Sequence, residues 1–399
     1  MTANTAFHVD KATRNRIYFS LYGAVFSAMI GVGIVIPLLP RYAVTLGATG
    51  IWIGAIFSAF AISRLIFLPL FGKISDTIGR KRLIVYGLCA YTVLSLLYLL
   101  AGSVYEITAL RFFHGMASAM ILPIALAYIN DIAPIGEEGK FIGSFVSSIY
   151  LGMSFGPFIG GVIMDLLSMN AVFFAMAFFS LLALVTSILY LPDIQTGPAI
   201  KTSFREIIFH KNLQGPVLYQ LMYALANGTF MVFLPILAIQ DPLISASEIG
   251  VIILVSVLTT PIFQHFFSRI ADSFRRYHLI ALGVTMIGTS LLVIPVVQGL
   301  SAYLLSAVLL GVGRGISLPS LFALVSCAGR EIGQGSASGM VNMSLAIGLI
   351  VAPLLSGVIM DLSGIDMVFY VSGVMSLFCT GIFIRLNNRE ERSENPMTC

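Results

Sequence analysis

Gly161-Val-Ile-Met-Asp-Leu166 returns letter for letter as Gly357-Val-Ile-Met-Asp-Leu362. The copies are 196 residues apart (357 − 161), and the register holds well beyond them. Pro157 matches Pro353, Gly139 and Gly143 match Gly335 and Gly339, and Gly152, Gly156 and Gly160 face Gly348, Ala352 and Ser356. At the same shift Ile74, Asp76, Arg80, Leu83 and Ile84 meet Ile270, Asp272, Arg276, Leu279 and Ile280. An identical six-residue run in register, with small residues kept at i, i+4 and i+8, marks a duplicated unit. Shared membrane composition produces only scattered matches.

The repeated unit is a block of membrane helices. Of the 399 residues 58% are apolar and 10% charged, against about 45–50% and 25% in soluble domains. Apolar runs long enough to span lie near 17–38, 51–71, 83–101, 106–129, 141–164, 170–191, 215–238, 249–268, 279–298, 301–325, 335–359 and 367–386, each close to the ~20 residues a bilayer crossing needs. Alternating ten-residue segments are absent, so helices are the spanning structure. The expectation is an all-α membrane protein with twelve transmembrane helices in two pseudo-symmetric six-helix bundles, 17–191 and 213–386. Polar tails 1–16 and 387–399 flank them, and a joint at 192–212 separates them. An even-numbered unit leaves its two copies in the same orientation, related by an axis along the membrane normal. Phe204, Ile207 and Ile208 give the joint either a short surface helix or a plain flexible linker.

Charge sets the topology. With cytoplasmic termini, eighteen of the 22 Lys and Arg lie inside, only Arg41 lies outside, and Arg64, Arg111 and Arg314 fall within spans. That bias predicts a multi-pass protein of the cell (inner or plasma) membrane with both termini cytoplasmic. It also accounts for the net charge of +4 without a nucleic-acid partner. Cys89, Cys327, Cys379 and Cys399 have no metal-like spacing and read as buried apolar side chains, so no metal and no cofactor is expected.

Between spans 2 and 3 stands Pro69-Leu-Phe-Gly-Lys-Ile-Ser-Asp-Thr-Ile-Gly-Arg-Lys-Arg-Leu83. A topology anchor explains its cations but not Gly72, Asp76 and Gly79. Gly72 would admit another helix, and Asp76 can pair with Arg80 or accept from a helix N-terminus of the opposite half. Asp131 is an extra partner. The second copy, with Asp272 and Arg276, has Ser268 and Arg275 in place of the two glycines, which predicts an asymmetric gate.

This stretch resembles the loop signature of the major facilitator superfamily, and nearly all of 14–390 is similar to its twelve-span drug:proton antiporters. The family's basic residue after the aspartate is Thr77 here. Gly152-Met-Ser-Phe-Gly156-Pro157-Phe-Ile-Gly160-Gly161 resembles a span 5 motif characteristic of exporters; physically, its glycines allow backbone-to-backbone packing, and Pro157 removes a hydrogen-bond donor. Arg111-Phe-Phe-His114-Gly115-Met-Ala-Ser118 resembles the span 4 motif, with His114 where the family usually has glutamine. An intramembrane arginine is costly and needs water or a counter-charge, and His114 is the group suited to titrate near neutral pH. Each also has a structural alternative as an internal hydrogen-bonder. Arg314-Gly315 stands in span 10 much as His114-Gly115 stands in span 4, while Arg64 either reaches an interface or binds carbonyls. The resemblance implies that spans 1, 4, 7 and 10 line the cavity, which adds Tyr223 and Asn227 as polar contacts.

No acid lies well inside a span, unlike many drug:proton antiporters. Three buried arginines therefore predict an electropositive interior that disfavours lipophilic cations. A Gly-x-x-x-x-Gly-Lys-Ser/Thr loop and the His-Glu-x-x-His and Gly-x-Ser-x-Gly constellations are all absent, which argues against nucleotide drive and against an enzyme. The reading is a monomeric secondary exporter of small amphipathic molecules, coupled to protons. Transport of an anionic metabolite or lipid, or a non-transporting sensor, are the alternatives.

Overall fold

The computed structural model describes residues 11–134, 137–192, 213–242, 244–270 and 274–392. The expected surface helix around Phe204, the gate residue Asp272 and the outermost tails lie outside these. The described chain is helical throughout, with twelve helices able to span: Ile17–Thr45, Gly50–Ile78, Arg80–Leu100, Val104–Ile132, Gly139–Leu166, Met169–Tyr190, Gln214–Ala238, Ala246–Arg269, Arg276–Val296, Leu300–Ile332, Ser336–Ser363 and Ile365–Leu386. Several outrun their apolar sequences. Span 2 continues from the apolar run to Ile78 and span 4 to Ile132, because intrahelical bonding satisfies the backbone wherever a following turn does not interrupt it.

The starts and interruptions follow local chemistry. Ser103 and Glu106 form a reciprocal capping box at span 4, and the Ser245 and Glu248 side chains accept from each other's backbone N–H at the start of span 8. Such caps satisfy donors that a helix start leaves open. Span 1 is broken at residues 36–38, next to Pro37 and Pro40. In span 7 a π-turn over Thr229–Phe233 precedes Pro235, which cannot donate to the ladder. Gly79 joins spans 2 and 3 at φ +96°, a conformation that a Cβ disfavours. Cys89 and Cys379 are free, the first exposed and the second buried.

Spans 1–6 and 7–12 form two bundles with matching internal packing. Span 1 lies on 5 and 6, 2 on 4, and 3 on 4 and 6; in the second bundle 7 lies on 11 and 12, 8 on 10, and 9 on 10 and 12. The bundles meet along two seams, span 2 against span 11 and span 5 against span 8. The near face is that on which span 1 begins and span 12 ends; the far face is its opposite.

At the far face both seams are shut by the repeated hexapeptide. The Asp165 carboxylate accepts from the backbone N–H groups of Ala246 and Ser247 at 3.1 and 2.7 Å, capping span 8. Asp361 accepts in the same way from Gly50 and Ile51 at the start of span 2. Every partner is displaced by the same 196 residues, and so is the packing beneath: Gly54 lies on the Pro353 backbone as Gly250 lies on Pro157, and Gly357 on Gly50 as Gly161 on Ala246. Ser58 extends this seam by donating to the Ile350 carbonyl at 2.6 Å.

Toward the near face the seams part. Gly72 stands eighteen residues, five full turns, beyond Gly54 on the same helix face, yet a Cβ there would meet nothing within 4 Å. Gly143 bears the same relation to Gly161, and it and Gly139 also face open space. The bundles thus touch at the far face and diverge toward the near one. Gly72 does not serve as the close-approach point expected for it in this arrangement.

Candidate functional site

Acids and arginines are segregated by depth. Every described Asp and Glu of the spans lies within two residues of a span end, as with Asp76, Asp131, Asp165 and Asp361. Arg64, Arg111 and Arg314 lie well inside. Their environments differ.

Arg111 and His114 belong to a polyaromatic cluster between spans 2, 3 and 4. The Arg111 guanidinium lies over the rings of Phe57 and Phe60, at 5.1 and 4.6 Å from their centroids, and within bonding reach of the Tyr98 hydroxyl, while its Nε is buried without a partner. His114 is enclosed by Tyr91 and Tyr98, with ring centroids 4.5 and 5.4 Å away. Its Nδ1 is 3.4 Å from Tyr98 Oη, and its Nε2 is buried without a partner. Ser118 reaches Tyr91, and Arg64 approaches Tyr91 from span 2. The structure therefore gathers Arg64, Arg111, His114 and Ser118 inside the first bundle. Cation–π contacts and tyrosine hydroxyls, rather than carboxylates, surround them.

Arg314 lies apart from that cluster. Its guanidinium carbon is 5.4 Å from the centroid of Tyr223, and Tyr219 beside it is bonded to Ser317 at 2.6 Å. Tyr150, from span 5 of the first bundle, comes close enough to interact electrostatically with both Arg314 and Tyr223. This is a point between the bundles to which both contribute. Arg314 is 3% exposed, and its Nε and Nη2 are buried with no hydrogen-bond partner. Asn227, one turn beyond Tyr223, is half-buried. The expected pairing of Arg314 with His114 is corrected by the packing. Gly115 lies on the Phe60 backbone as Gly311 lies on that of Ser256, so the register makes Ser118 the counterpart of Arg314.

At the near face Arg80 pairs with Asp131 and stands 3.8 Å from Asp76. All three belong to the first bundle, so Asp76 is placed for a local pair here. In the second copy Arg276 donates to the Cys327 sulfur at 2.9 Å. Arg276 and Cys327 are 196 residues on from Arg80 and Asp131: a sulfur has replaced the acid, so the asymmetry is chemical as well as conformational.

The exporter-type motif divides between two neighbours. Gly152, Gly156 and Gly160 pack on span 1 at Met29, Gly33 and Ile34, while Gly161 and the Pro157 carbonyl meet span 8. Sequence reasoning did not single out Asp165, Asp361, Gly50, Gly54, Gly250, Tyr91, Tyr98, Tyr150 or Tyr219. The far-face group was accessible through the repeat, since Asp is the charged residue of the hexapeptide. The tyrosines carry no sequence signal. Among the described residues no group of His, Cys, Asp or Glu is arranged to hold a metal ion.

Two pseudo-symmetric six-helix bundles around buried polar side chains are the architecture of a membrane transporter. The model of the Major Facilitator Superfamily matches residues 21–218 and 216–398, and the chain belongs to that family, whose members are transporters rather than enzymes. It is 30% identical over 358 residues to Multidrug resistance protein 1 of Bacillus subtilis (strain 168), covering 88% of this chain and 91% of that protein. It is 26% identical over 390 residues to Quinolone resistance protein NorA of Staphylococcus aureus (strain MSSA476), covering 95% and 98%. Among solved structures, the nucleoside transporter NupG (D323A mutant) superposes with a TM-score of 0.81 at 15% identity, covering 93% of this chain and 99% of that one.

Proposed function

We propose that this protein is a proton-coupled exporter of small amphipathic molecules, working as a monomer in the cell membrane by alternating access, with its near face cytoplasmic. One observation carries the mechanism: both seams are capped and close-packed at the far face, while the same helix faces stand open toward the near one. Two rigid bundles touching at one end are poised to rock about a site between them, and that site contains Arg314, Tyr223 and Tyr150. The near-face Arg80–Asp131–Asp76 group then waits for the opposite bundle, and closure there would accompany opening of the two far-face clasps.

The export direction is supported by the resistance functions in the names of the two curated relatives. Cytoplasmic orientation is supported by the Lys and Arg distribution. His114 is the proposed proton group, with Arg111 and Tyr98 as its neighbours.

The test is flux in proteoliposomes, using matched cationic, neutral and anionic compounds with and without a pH gradient. Gradient-dependent uptake of at least one compound is expected. Absence of flux in all arms, with ligand binding retained, would leave a sensor instead. If His114→Gln kept full gradient-driven transport, the proton would be carried elsewhere.

A further inference from the structure

We infer that Arg314 is the anion anchor of the transport site and receives a planar carboxylate of an aromatic or otherwise apolar cargo, anionic or zwitterionic. This rests on the transport reading above and narrows its substrate class.

The three intramembrane arginines are not equivalent. Arg111 lies over two phenyl rings with a phenol in reach and leaves only Nε buried without a partner, and Arg64, partly exposed, lies beside Tyr91 in the same bundle with no orphaned nitrogen. Arg314 has a ring on one side and no bonded acceptor for Nε or Nη2. A guanidinium buried in the membrane interior without a counter-charge is costly, and no described acid lies at its depth in the spans. An anion carried by the cargo would supply the counter-charge that the chain does not.

Position and shape indicate what kind of anion. Arg314 projects from the middle of span 10 toward span 7, and Tyr150 approaches from span 5 of the other bundle. A group bound here touches both halves, as a cargo must if its binding is to be felt by the rocking motion. The guanidinium fork matches two coplanar oxygens. One cation without a second beside it neutralises a monoanion, which favours carboxylate over a dianionic phosphate. The phenol rings of Tyr150 and Tyr223 supply an apolar, stacking surface for the rest of the molecule.

The test uses full-length protein in nanodiscs and four naphthalene probes that share one apolar body: carboxylate, methanol, methylammonium and phosphate. The carboxylate should bind about 10–100-fold more tightly than the alcohol, the range a charge-assisted bidentate pair provides. Arg314→Gln should erase that preference and leave alcohol binding in place. Arg314→Lys should retain part of it, and Tyr223→Leu should weaken all probes together.

An unchanged thermal melt would certify that the Gln variant is folded. Equal binding of carboxylate and alcohol to the unmodified protein, retention of the preference in a folded Arg314→Gln variant, or tighter binding of the phosphate would each overturn the assignment. Carboxylate binding that depends on Arg314 without any flux would uphold the anchor and refute the transport reading. Flux in which the carboxylate is not preferred over the alcohol, or in which that preference survives Arg314→Gln, would do the reverse.

Discussion

The twin aspartate clasps make a quantitative prediction about conformation. Each carboxylate accepts two backbone N–H bonds at a helix start, where the helix dipole adds attraction. Bonds of this kind contribute about 1.5–3 kcal/mol when sheltered, but Asp165 and Asp361 are solvent-exposed, so about 1–2 kcal/mol per clasp is the appropriate scale. Asparagine keeps the shape and one acceptor but removes the charge. Asp165→Asn or Asp361→Asn alone should shift the balance between far-face-closed and far-face-open forms by about 5–30-fold, taking 1.4 kcal/mol per tenfold. The clasps sit on separate seams and share no partner, so their effects should add, giving about 25–900-fold in the double variant. Spin labels at Leu100→Cys and Val296→Cys, exposed residues ending spans 3 and 9, would report the far-face distance in nanodiscs after replacement of the native cysteines. The double variant should populate a longer distance that the parent lacks. An unchanged distance distribution in a double variant of normal thermal stability would refute the clasp as a determinant of conformation.

The glycines should show opposite sensitivities along one helix. Gly54→Ala places a methyl against the Pro353 backbone and should destabilise the closed far face by about 1–3 kcal/mol, seen as a lower melting temperature and a widened label distance. Gly72→Ala meets open space and should raise helix stability by up to ~1 kcal/mol without widening that distance. A double-mutant cycle of Arg80→Gln and Asp131→Asn should give a coupling of about 0.5–1 kcal/mol, declining with salt, because both side chains are partly exposed. A cycle of Phe60→Leu with Arg111→Met should give about 0.5–2 kcal/mol in thermal melts, and a coupling of zero would remove the cation–π contact as a stabilising element.

Much of the architecture was legible because membrane composition restricts the choices so severely. A run of some twenty apolar residues has one backbone solution in lipid, and the hexapeptide reports that six such solutions were duplicated. The near-face stretch was read for its charges, and Arg80 does pair with Asp131; Gly72, read as a contact point, instead faces open space. A glycine in a sequence permits close approach without saying in which conformation the approach occurs. Arg314 and His114 looked equivalent because each precedes a glycine, yet the backbone contacts of Gly115 and Gly311 show that they differ by one helical turn.

The chain's own letters determined the class of fold, the number of spans and the two-fold repeat, since these follow from local hydropathy and from register. Only the tertiary structure decided what surrounds each buried arginine. Arg111 and Arg314 are the same residue in the same kind of apolar run, and their difference arises from side chains far away in sequence: Phe57 and Phe60 around one, and Tyr223 and Tyr150 beside the other. It likewise decided that the aspartate of the repeated hexapeptide joins the two bundles. Its partners are backbone N–H groups, which every residue but proline carries and which therefore leave no mark in the sequence.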